Sequence, residues 1–282
     1  MELTHDPAPA RPVRRSCTPA ARGPRARRQH GGVHPHDPRD ATSQSRSFGA
    51  AAAAYERGRP GYPDAALDWL LPPGAHRVLD LGAGTGKLTR SLVARGLDVV
   101  AVEPTAGMAE KFREVLPGVP LLEGTAEQLP LPDGDVDAVL VAQAWHWVDP
   151  ATAAPEIARV LRPGGRLGLL WNVRDVSVDW IGQLDRSLPG AGEEGLGSLA
   201  PRVGPPFGPV ERFDVSWSMP LTVEGLLDLT LSRSWVITLD EARRRVVLDD
   251  VRSLAQARLD AVGHLEMDYV TRCSRATLPS PA

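Results

Sequence analysis

Short apolar runs and amphipathic stretches alternate along the chain from about residue 64 to residue 175. Apolar runs bounded by glycine or by acidic residues are typical of buried parallel strands. They predict strands over residues 77–81, 98–103, 119–122, 137–142 and 166–171. Apolar residues at helical spacing predict helices over residues 65–71, 87–95, 107–116 and 151–161. This alternation predicts an α/β fold with a doubly wound parallel sheet and right-handed crossovers.

The pattern is less regular after residue 175, where it predicts two more strands and two more helices. The strands cover residues 211–217 and 265–273, and the helices cover residues 221–231 and 239–257. This part also holds large apolar side chains, which are expected in the core because buried aromatic residues dominate core packing. They are Trp180, Trp217, Met219, Trp235 and Met267.

A glycine-rich turn follows the first predicted strand, with the sequence DLGAGTGK at residues 80–87. Glycines at the carboxyl end of a strand let the backbone approach a ligand at the start of the next helix. A Walker loop would require Gly in place of Leu81 and Ser or Thr in place of Leu88. A dinucleotide fingerprint would require Gly in place of Lys87. What remains is Asp-x-Gly-x-Gly-x-Gly, beginning at Asp80.

This pattern resembles motif I of the class I S-adenosylmethionine (SAM)-dependent methyltransferases, and the resemblance covers about residues 48–175. Glu103 ends the second predicted strand, where this family uses an acid to hold the ribose hydroxyls of SAM. A carboxylate suits that role, because it accepts hydrogen bonds from both hydroxyls of a diol. Pro104 and Met108 resemble the family's segment beside the adenine.

Two further segments are similar to the same family. The sequence GTAEQLP at residues 124–130 resembles the segment that holds the adenine, with Thr125 in place of the family's Asp and Glu127 as a candidate substitute. The sequence LRPGG at residues 161–165 resembles the turn before the fifth strand. The resemblance implies SAM as the cofactor and a Rossmann-like, seven-stranded, mostly parallel sheet with an antiparallel last strand. The cofactor-binding residues that it implies are Asp80, Gly82, Ala83, Gly84, Gly86, Glu103, Pro104, Met108, Thr125, Ala126, Glu127 and Gln143.

Within the family, the chain resembles the methyltransferase type 11 group of small-molecule enzymes, which includes trans-aconitate methyltransferase-like proteins. The segments that carry this resemblance are residues 48–63, 82–89 and 142–149, together with Trp171-Asn172. In such enzymes residues 48–63 correspond to a lid over the cofactor. The resemblance therefore implies lid or substrate roles for Tyr55, Arg59, Tyr62, Trp145 and Trp147.

His146 follows the fourth predicted strand, beside the point between strands one and four where ligands bind in such sheets. An imidazole suits the deprotonation of a hydroxyl or amine acceptor, since its ordinary pKa lies near neutrality. His146 is therefore the candidate catalytic residue, and the alternative is that it only orders the rim of the pocket. A carboxylate acceptor would require no base.

The net charge of −3 conceals two unlike parts. Residues 1–47 carry nine arginines and four acidic residues, whereas the remaining 235 residues carry 23 basic and 31 acidic ones. Large apolar residues are nearly absent from residues 1–47, so we expect a disordered basic tail. A transit peptide and a nucleic-acid-binding arm are the alternatives. Residues 48–282 are expected to form the methyltransferase domain, with a cofactor-binding half at 48–175 and an acceptor-side half at 176–282.

Several classes of function are disfavoured by the residues present. The AQAW sequence after the fourth strand lacks the Asn/Asp-Pro-Pro-Tyr/Phe segment of enzymes that methylate the amino groups of DNA bases or of protein glutamine. The acidic body disfavours nucleic acid as a partner. No carboxylate-rich cluster with metal spacing accompanies it, so no metal is expected. The two cysteines, Cys17 and Cys273, provide no disulfide framework and fit the cytoplasm. No apolar run of 18 residues exists, so no membrane span is expected.

We therefore predict a SAM-dependent methyltransferase, a monomer or homodimer, that transfers the methyl group to a small-molecule acceptor by in-line displacement. Two alternatives remain open at this point: a non-catalytic SAM-binding or regulatory protein, and a nicotinamide-dependent oxidoreductase. The dinucleotide fingerprint requires Gly at its sixth position, where this chain has Lys87, and this difference opposes the oxidoreductase.

Overall fold

The computed structural model describes residues 59–188 and 201–280, which contain one seven-stranded sheet. Its strands are β1 (Arg77–Leu81), β2 (Asp98–Val102), β3 (Leu121–Leu122), β4 (Val136–Ala142), β5 (Leu161–Arg174), β6 (Glu211–Pro220) and β7 (Glu266–Thr277). Their order across the sheet is β3-β2-β1-β4-β5-β7-β6. β7 is antiparallel to both of its neighbours, and the other six strands run parallel. The predicted mostly parallel sheet with an antiparallel last strand is confirmed.

Helices cover the sheet within the described residues. They are α1 (Asp64–Leu70), α2 (Lys87–Ala94), α3 (Ala106–Val115), α4 (Pro150–Val160), α5 (Asp179–Ser187), α6 (Val223–Leu231), α7 (Ser234–Ile237) and α8 (Glu241–Val262). Each predicted helix is present, with bounds that differ by one to five residues. Two helices, α5 and α7, were not predicted.

The sheet is buried on both faces near its centre, as the continuous apolar runs predict. In β1, Leu79 packs against α4 through Ile157, and Val78 packs on the opposite face beside Leu67 of α1 and Leu88 of α2. All five side chains are almost fully buried. Two of the five large apolar side chains after residue 175, Trp180 and Met267, are buried in a further cluster with α5, α6 and α8, so the expected core role is confirmed for these two. Trp217, Met219 and Trp235 pack against this cluster but are only partly buried.

The strand order reverses between β1 and β4, which places a crevice at their carboxyl ends. β1 pairs with β2 on one side and with β4 on the other. The connections that leave β1 and β4 therefore diverge to opposite sides, and ligands bind at such switch points. The glycine-rich turn follows β1, and Gln143 follows β4.

Two of the sequence predictions lie outside the described residues: the basic tail at residues 1–47 and the lid residue Tyr55. Among the described residues, no helix is both long and apolar enough to cross a membrane.

Candidate active site

A cavity of about 600 Å³ opens at the carboxyl ends of β1, β2 and β4. Its volume falls within the range of small-molecule sites. Twelve of the residues proposed from the sequence line it: Arg59, Gly82, Gly84, Glu103, Pro104, Met108, Thr125, Ala126, Glu127, Gln143, His146 and Trp147. Residues from five separate segments of the chain are thus brought together.

The glycine-rich turn adopts a backbone that glycine permits. Gly82, Gly84 and Gly86 have φ values of 71°, 57° and 90°, in the left-handed region. The N–H groups of Gly82 and Ala83 donate to the carbonyl of Val102 at the end of β2. Gly84 lines the cavity, and a Cβ built on it meets no atom within 4 Å. The turn therefore offers its backbone at the wall of the cavity.

Gly86 and Ala83 serve the packing of the turn and do not line the cavity. Gly86 caps α2, and a Cβ on it would lie 2.6 Å from the Leu116 side chain and 3.0 Å from that of Phe112. Ala83 is buried in a small cluster with Ala101 and Phe112. Both residues hold the turn against α3 and β2.

Glu103 connects the glycine-rich turn to the end of β2. Its carboxylate is nearly buried, with 6 % of the residue exposed. One oxygen accepts from the N–H of Gly84 at 2.8 Å, and the other accepts from the N–H of Thr105 at 2.9 Å. Each carboxylate oxygen has a further acceptor position. The carboxylate thus fits a diol such as the ribose of SAM at the cavity wall.

Asp80 lies beneath the turn and does not line the cavity. It is completely buried, and one oxygen accepts from the Thr89 hydroxyl at 2.5 Å. Its other oxygen has no hydrogen-bond partner among the described residues. Burial raises the pKa of this carboxyl to about 7, and the negative charge of Glu103 raises it further, against the opposing hydrogen bonds from Thr89. Asp80 therefore fastens β1 to α2.

A tight turn at residues 125–128 forms the side of the cavity opposite the glycines. Thr125 and Gln128 exchange two backbone hydrogen bonds, at 3.3 and 3.2 Å. Glu127 accepts from the N–H of Asp149 at 3.2 Å and so attaches this turn to the start of α4. Pro104 and Met108 line the cavity at the start of α3. Pro104 and Met108 thus form an apolar strip, and Glu127 supplies a carboxylate. Together they fit the ring and the amino group of an adenine.

Gln143 is the non-glycine residue with positive φ in the described part of the chain, at 60°. Its N–H donates to the carbonyl of Leu170, and its amide donates to that of Asn172 at 3.4 Å. Such backbone conformations cost roughly 1–3 kcal/mol and cluster at functional sites. This conformation brings the backbone after β4 to the cavity wall. Because the residue is not glycine, the sequence gives no sign of the positive φ.

The three residues of the segment Trp145–Trp147 form one turn of 3₁₀ helix and have different environments. Trp145 is buried, and its indole N–H donates to the carbonyl of Arg202 at 2.9 Å, so it anchors the segment instead of lining the cavity. His146 and Trp147 line the cavity with their rings 4.7 Å apart, and Trp147 is 82 % exposed. A mostly exposed indole at a cavity mouth is available for contact with a ligand.

The described part of the proposed lid is attached at two points. The Arg59 side chain donates to the Ser232 hydroxyl at 3.0 Å, and Asn172 donates to the carbonyl of Gly61 at 2.8 Å. Tyr62 packs against the core beside α1 and does not line the cavity. Ser232 was not among the residues predicted from the sequence, because the spacing of residues along the chain gives no indication of this contact.

Comparisons with known proteins agree with this site. A family model described as a methyltransferase domain matches residues 79–169. An uncharacterized methyltransferase of Mycobacterium tuberculosis (strain ATCC 25618 / H37Rv) is 54 % identical over 236 residues, which are 83 % of this chain and 96 % of the relative. An uncharacterized methyltransferase-like protein of Schizosaccharomyces pombe is 34 % identical over 240 residues, 80 % of this chain and 93 % of the relative.

A solved structure shows the same fold. This proposed type II methyltransferase from Anaeromyxobacter dehalogenans is 26 % identical, and its TM-score is 0.58 over 79 % of this chain and 99 % of that chain. The sequence identity extends along most of both chains. The strand order and the cavity lined by the glycine-rich turn and Glu103 agree with this relationship. The chain belongs to the class I methyltransferases, enzymes that use SAM as their cofactor.

Proposed function

We propose that the protein methylates a small-molecule acceptor that binds beside His146 and Trp147. The observation that supports this proposal is the single cavity that extends from Glu103 and the glycine-rich turn to these two rings. At about 600 Å³ it is within the size range for a cofactor and a small acceptor.

The main task of the protein in this reaction is to align the acceptor with the methyl carbon and the sulfur of SAM. SAM supplies a methyl group that its sulfonium already activates, and no covalent protein intermediate is needed for in-line displacement. Glu103 and the turn around Gly84 fix one end of the cofactor, while Met108 and Glu127 fix the other. Correct alignment of this kind lowers a barrier by roughly 7–11 kcal/mol. The indole face of Trp147 suits a contact with a cationic centre.

His146 is proposed as the base for a hydroxyl or amine acceptor. It lines the cavity on an exposed turn, where an acceptor proton can be passed to solvent. The proposal places the reaction in the cytoplasm, because the two cysteines form no disulfide framework. The acidic body of the chain disfavours nucleic acid as the acceptor.

Calorimetric titration of the full chain with SAM, S-adenosylhomocysteine and NAD tests the cofactor. We expect binding of the first two at micromolar concentration and none of NAD. Release of labelled methyl from SAM to a panel of hydroxyl, amine and carboxylate metabolites then tests the acceptor class. Binding of S-adenosylhomocysteine without transfer to any member of the panel would favour a SAM-binding regulatory protein.

A further inference from the structure

Asn172, near the carboxyl end of β5, contacts two separate segments that line the cavity. The last residue of β4 pairs with Leu170, so Asn172 stands two residues beyond that pairing, at the edge of the sheet where the cavity opens. Its side-chain amide donates to the carbonyl of Gly61 at 2.8 Å, and its backbone carbonyl accepts from the side chain of Gln143 at 3.4 Å. One residue thus connects the segment that follows Arg59 with the segment that follows β4.

The orientation of the Asn172 amide is fixed by the two neighbouring strands. The indole N–H of Trp217 in β6 donates to the Thr271 hydroxyl of β7 at 2.8 Å, and this hydroxyl donates to the amide oxygen of Asn172 at 2.6 Å. An indole N–H can only donate, so the hydroxyl accepts from it and uses its own proton for Asn172. Thr271 is completely buried, so water does not compete for this contact. The amide nitrogen of Asn172 therefore faces the carbonyl of Gly61.

The segment that Asn172 holds contributes Arg59 to the cavity wall. Arg59 lies two residues before Gly61, lines the cavity and donates to the Ser232 hydroxyl at 3.0 Å. Ser232 thus holds the tip of this side chain, whereas Asn172 holds the backbone from which it extends. Gly61 is exposed, so burial contributes little to its position and the directed hydrogen bond from Asn172 contributes more.

We infer that Asn172 is a positioning residue for ligand binding in this cavity, because it fixes the backbone at Gly61 and so keeps Arg59 at the cavity wall while the cofactor is bound. Asn172 does not line the cavity itself, so its effect passes through Arg59. The inference concerns the cofactor site and holds for any acceptor, so it does not depend on the proposed function.

A purely structural role for Asn172 makes a different prediction. The hydrogen bonds that reach Asn172 also join β5, β6 and β7, so a structural role means that its loss only loosens the sheet. Trp217→Phe separates the two roles, because it removes the indole N–H and leaves the contact between Asn172 and Gly61 in place. In the structural case, ligand release follows the loss of stability in both variants. In the positioning case, only the Asn172 variant releases the ligand faster.

The experiment measures the dissociation rate of S-adenosylhomocysteine by surface plasmon resonance on the immobilised full chain, together with Tm. Asn172→Asp keeps an acceptor for the Thr271 hydroxyl but places a carboxylate oxygen against the carbonyl of Gly61, which releases the segment. Two facing acceptors are less favourable than a hydrogen bond that is merely absent. We expect dissociation at least fivefold faster than in the wild type. Trp217→Phe is the matched control and should stay within twofold of the wild-type rate even where its Tm falls.

A double-mutant cycle tests whether the effect passes through Arg59. In an Arg59→Gln background, Asn172→Asp should change the rate by less than twofold, since residues that act as one unit are not additive. Asn172→Ala lacks both the donor and the added charge and should still raise the rate at least threefold, which excludes the new carboxylate as the cause.

Three outcomes would overturn the inference. They are an unchanged rate in both Asn172 variants, an equal rise in Trp217→Phe, and a double mutant in which the effects of Arg59→Gln and Asn172→Asp multiply. Should Asn172→Asp fail to fold, Asn172→Ala decides by the same comparisons.

Discussion

Glu103 links two segments that must move together for the cofactor site to keep its shape. Its two oxygens receive the N–H groups of Gly84 and Thr105, one from the glycine-rich turn and one from the start of α3. Hydrogen bonds to an ionised group are roughly twice as strong as neutral ones. A carboxylate that is nearly buried and held at both oxygens is oriented before the ligand arrives, and less entropy is lost on binding.

Replacement of Glu103 by Gln should weaken binding of S-adenosylhomocysteine by about 10- to 100-fold. The amide has one oxygen, so one of the two backbone N–H groups faces an NH₂ group, and the charge that strengthens the diol contact is gone. Calorimetry on both proteins measures the change. The control is Glu114→Gln, an exposed position on α3 paired with Lys111, where affinity should stay within twofold. A change of less than threefold in Glu103→Gln would contradict a diol-binding role.

Asp80 should make stability depend on pH. Its carboxyl stays protonated in the folded chain up to about pH 7, whereas in the unfolded chain it ionises near its ordinary pKa of 3.8. Between those values the unfolded state binds fewer protons, so this group lowers the free energy of unfolding as pH rises, and the loss is complete above about pH 7. Since one pKa unit corresponds to about 1.4 kcal/mol, the loss between pH 5 and pH 8 is about 3 kcal/mol.

The measurement is urea unfolding of wild type and of Asp80→Asn at pH 5 and pH 8. The asparagine does not titrate, so the difference in free energy of unfolding between the two proteins isolates this carboxyl from the others. We expect the variant to gain about 3 kcal/mol relative to the wild type from pH 5 to pH 8. A difference that stays constant with pH would show that Asp80 is already ionised at pH 5.

His146→Ala separates the two roles considered for this residue. If His146 removes a proton from the acceptor, kcat should fall at least tenfold, because general-base catalysis contributes at least that much. Affinity for S-adenosylhomocysteine should stay within twofold, since the cofactor contacts lie on Glu103 and the glycine-rich turn. The assay compares kcat with the acceptor identified from the panel and calorimetric affinity on the same preparations. An unchanged kcat would assign His146 to the cavity rim only.

Among the elements, α2 and α3 depend on the absence of a side chain at Gly86. A Cβ there would stand 2.6 Å from Leu116, and φ is 90°. Gly86→Ala should therefore destabilise the fold by about 2–4 kcal/mol, from overpacking together with left-handed strain. Gly96→Ala is the matched control, because φ is 78° but a Cβ meets nothing within 4 Å. It should lose only about 1–2 kcal/mol. Equal losses by thermal unfolding would show that the contact with Leu116 relaxes.

The central strands could be predicted because burial on both faces leaves a continuous apolar run. β1 matches its predicted range of residues 77–81, and β2 and β4 differ from theirs by one residue. β5 was predicted too short, at residues 166–171, because its first residues include Pro163 and Gly164, which are typical of turns. They join the strand because Leu161 pairs with Val136 of β4. α5 has apolar residues at helical spacing, at Trp180, Ile181 and Leu184, so its sequence carries the pattern of a helix although none was predicted there.

The candidate site was predictable only where it lies within continuous motifs. The glycine-rich turn after β1 and the acid after β2 were recognisable from the spacing of residues along the chain. Most of the residues proposed from them line the cavity. The burial of Trp145 and the exposure of Trp147 depend on one turn of 3₁₀ helix that periodicity does not reveal. The contact between Arg59 and Ser232 joins residues 173 positions apart, and no local pattern relates them.

At the scale of the whole molecule, β7 unites the two halves of the chain. It lies between β5, which falls within residues 48–175, and β6, which falls within residues 176–282. The register of β7 is fixed by eight or more residue pairs with β5 and by eight or more with β6. The strands of residues 176–282 therefore extend the same sheet. Long antiparallel pairing holds Arg174 opposite Tyr269 with little freedom. The second half of the chain is therefore positioned by the sheet itself and not by loops alone.

The uneven distribution of charge leads to the last prediction, that residues 1–47 are dispensable for methyl transfer. They carry nine arginines and almost no large apolar residues, so they bring little surface to bury against the acidic remainder of the chain. A chain that begins at Ser47 should keep its affinity for S-adenosylhomocysteine within twofold and its Tm within about 2 °C, because a contact worth 1 kcal/mol would shift Tm by about that much or more.

The same pair of proteins distinguishes the other roles considered for this segment. If residues 1–47 bind nucleic acid, the full chain should retard duplex DNA at low salt, the shortened chain should not, and the affinity should fall steeply as salt rises. If the full chain binds no DNA and the shortened chain is fully active, residues 1–47 contribute neither to DNA binding nor to catalysis. Loss of S-adenosylhomocysteine binding on truncation with an unchanged Tm would show instead that the segment contributes to the cofactor site.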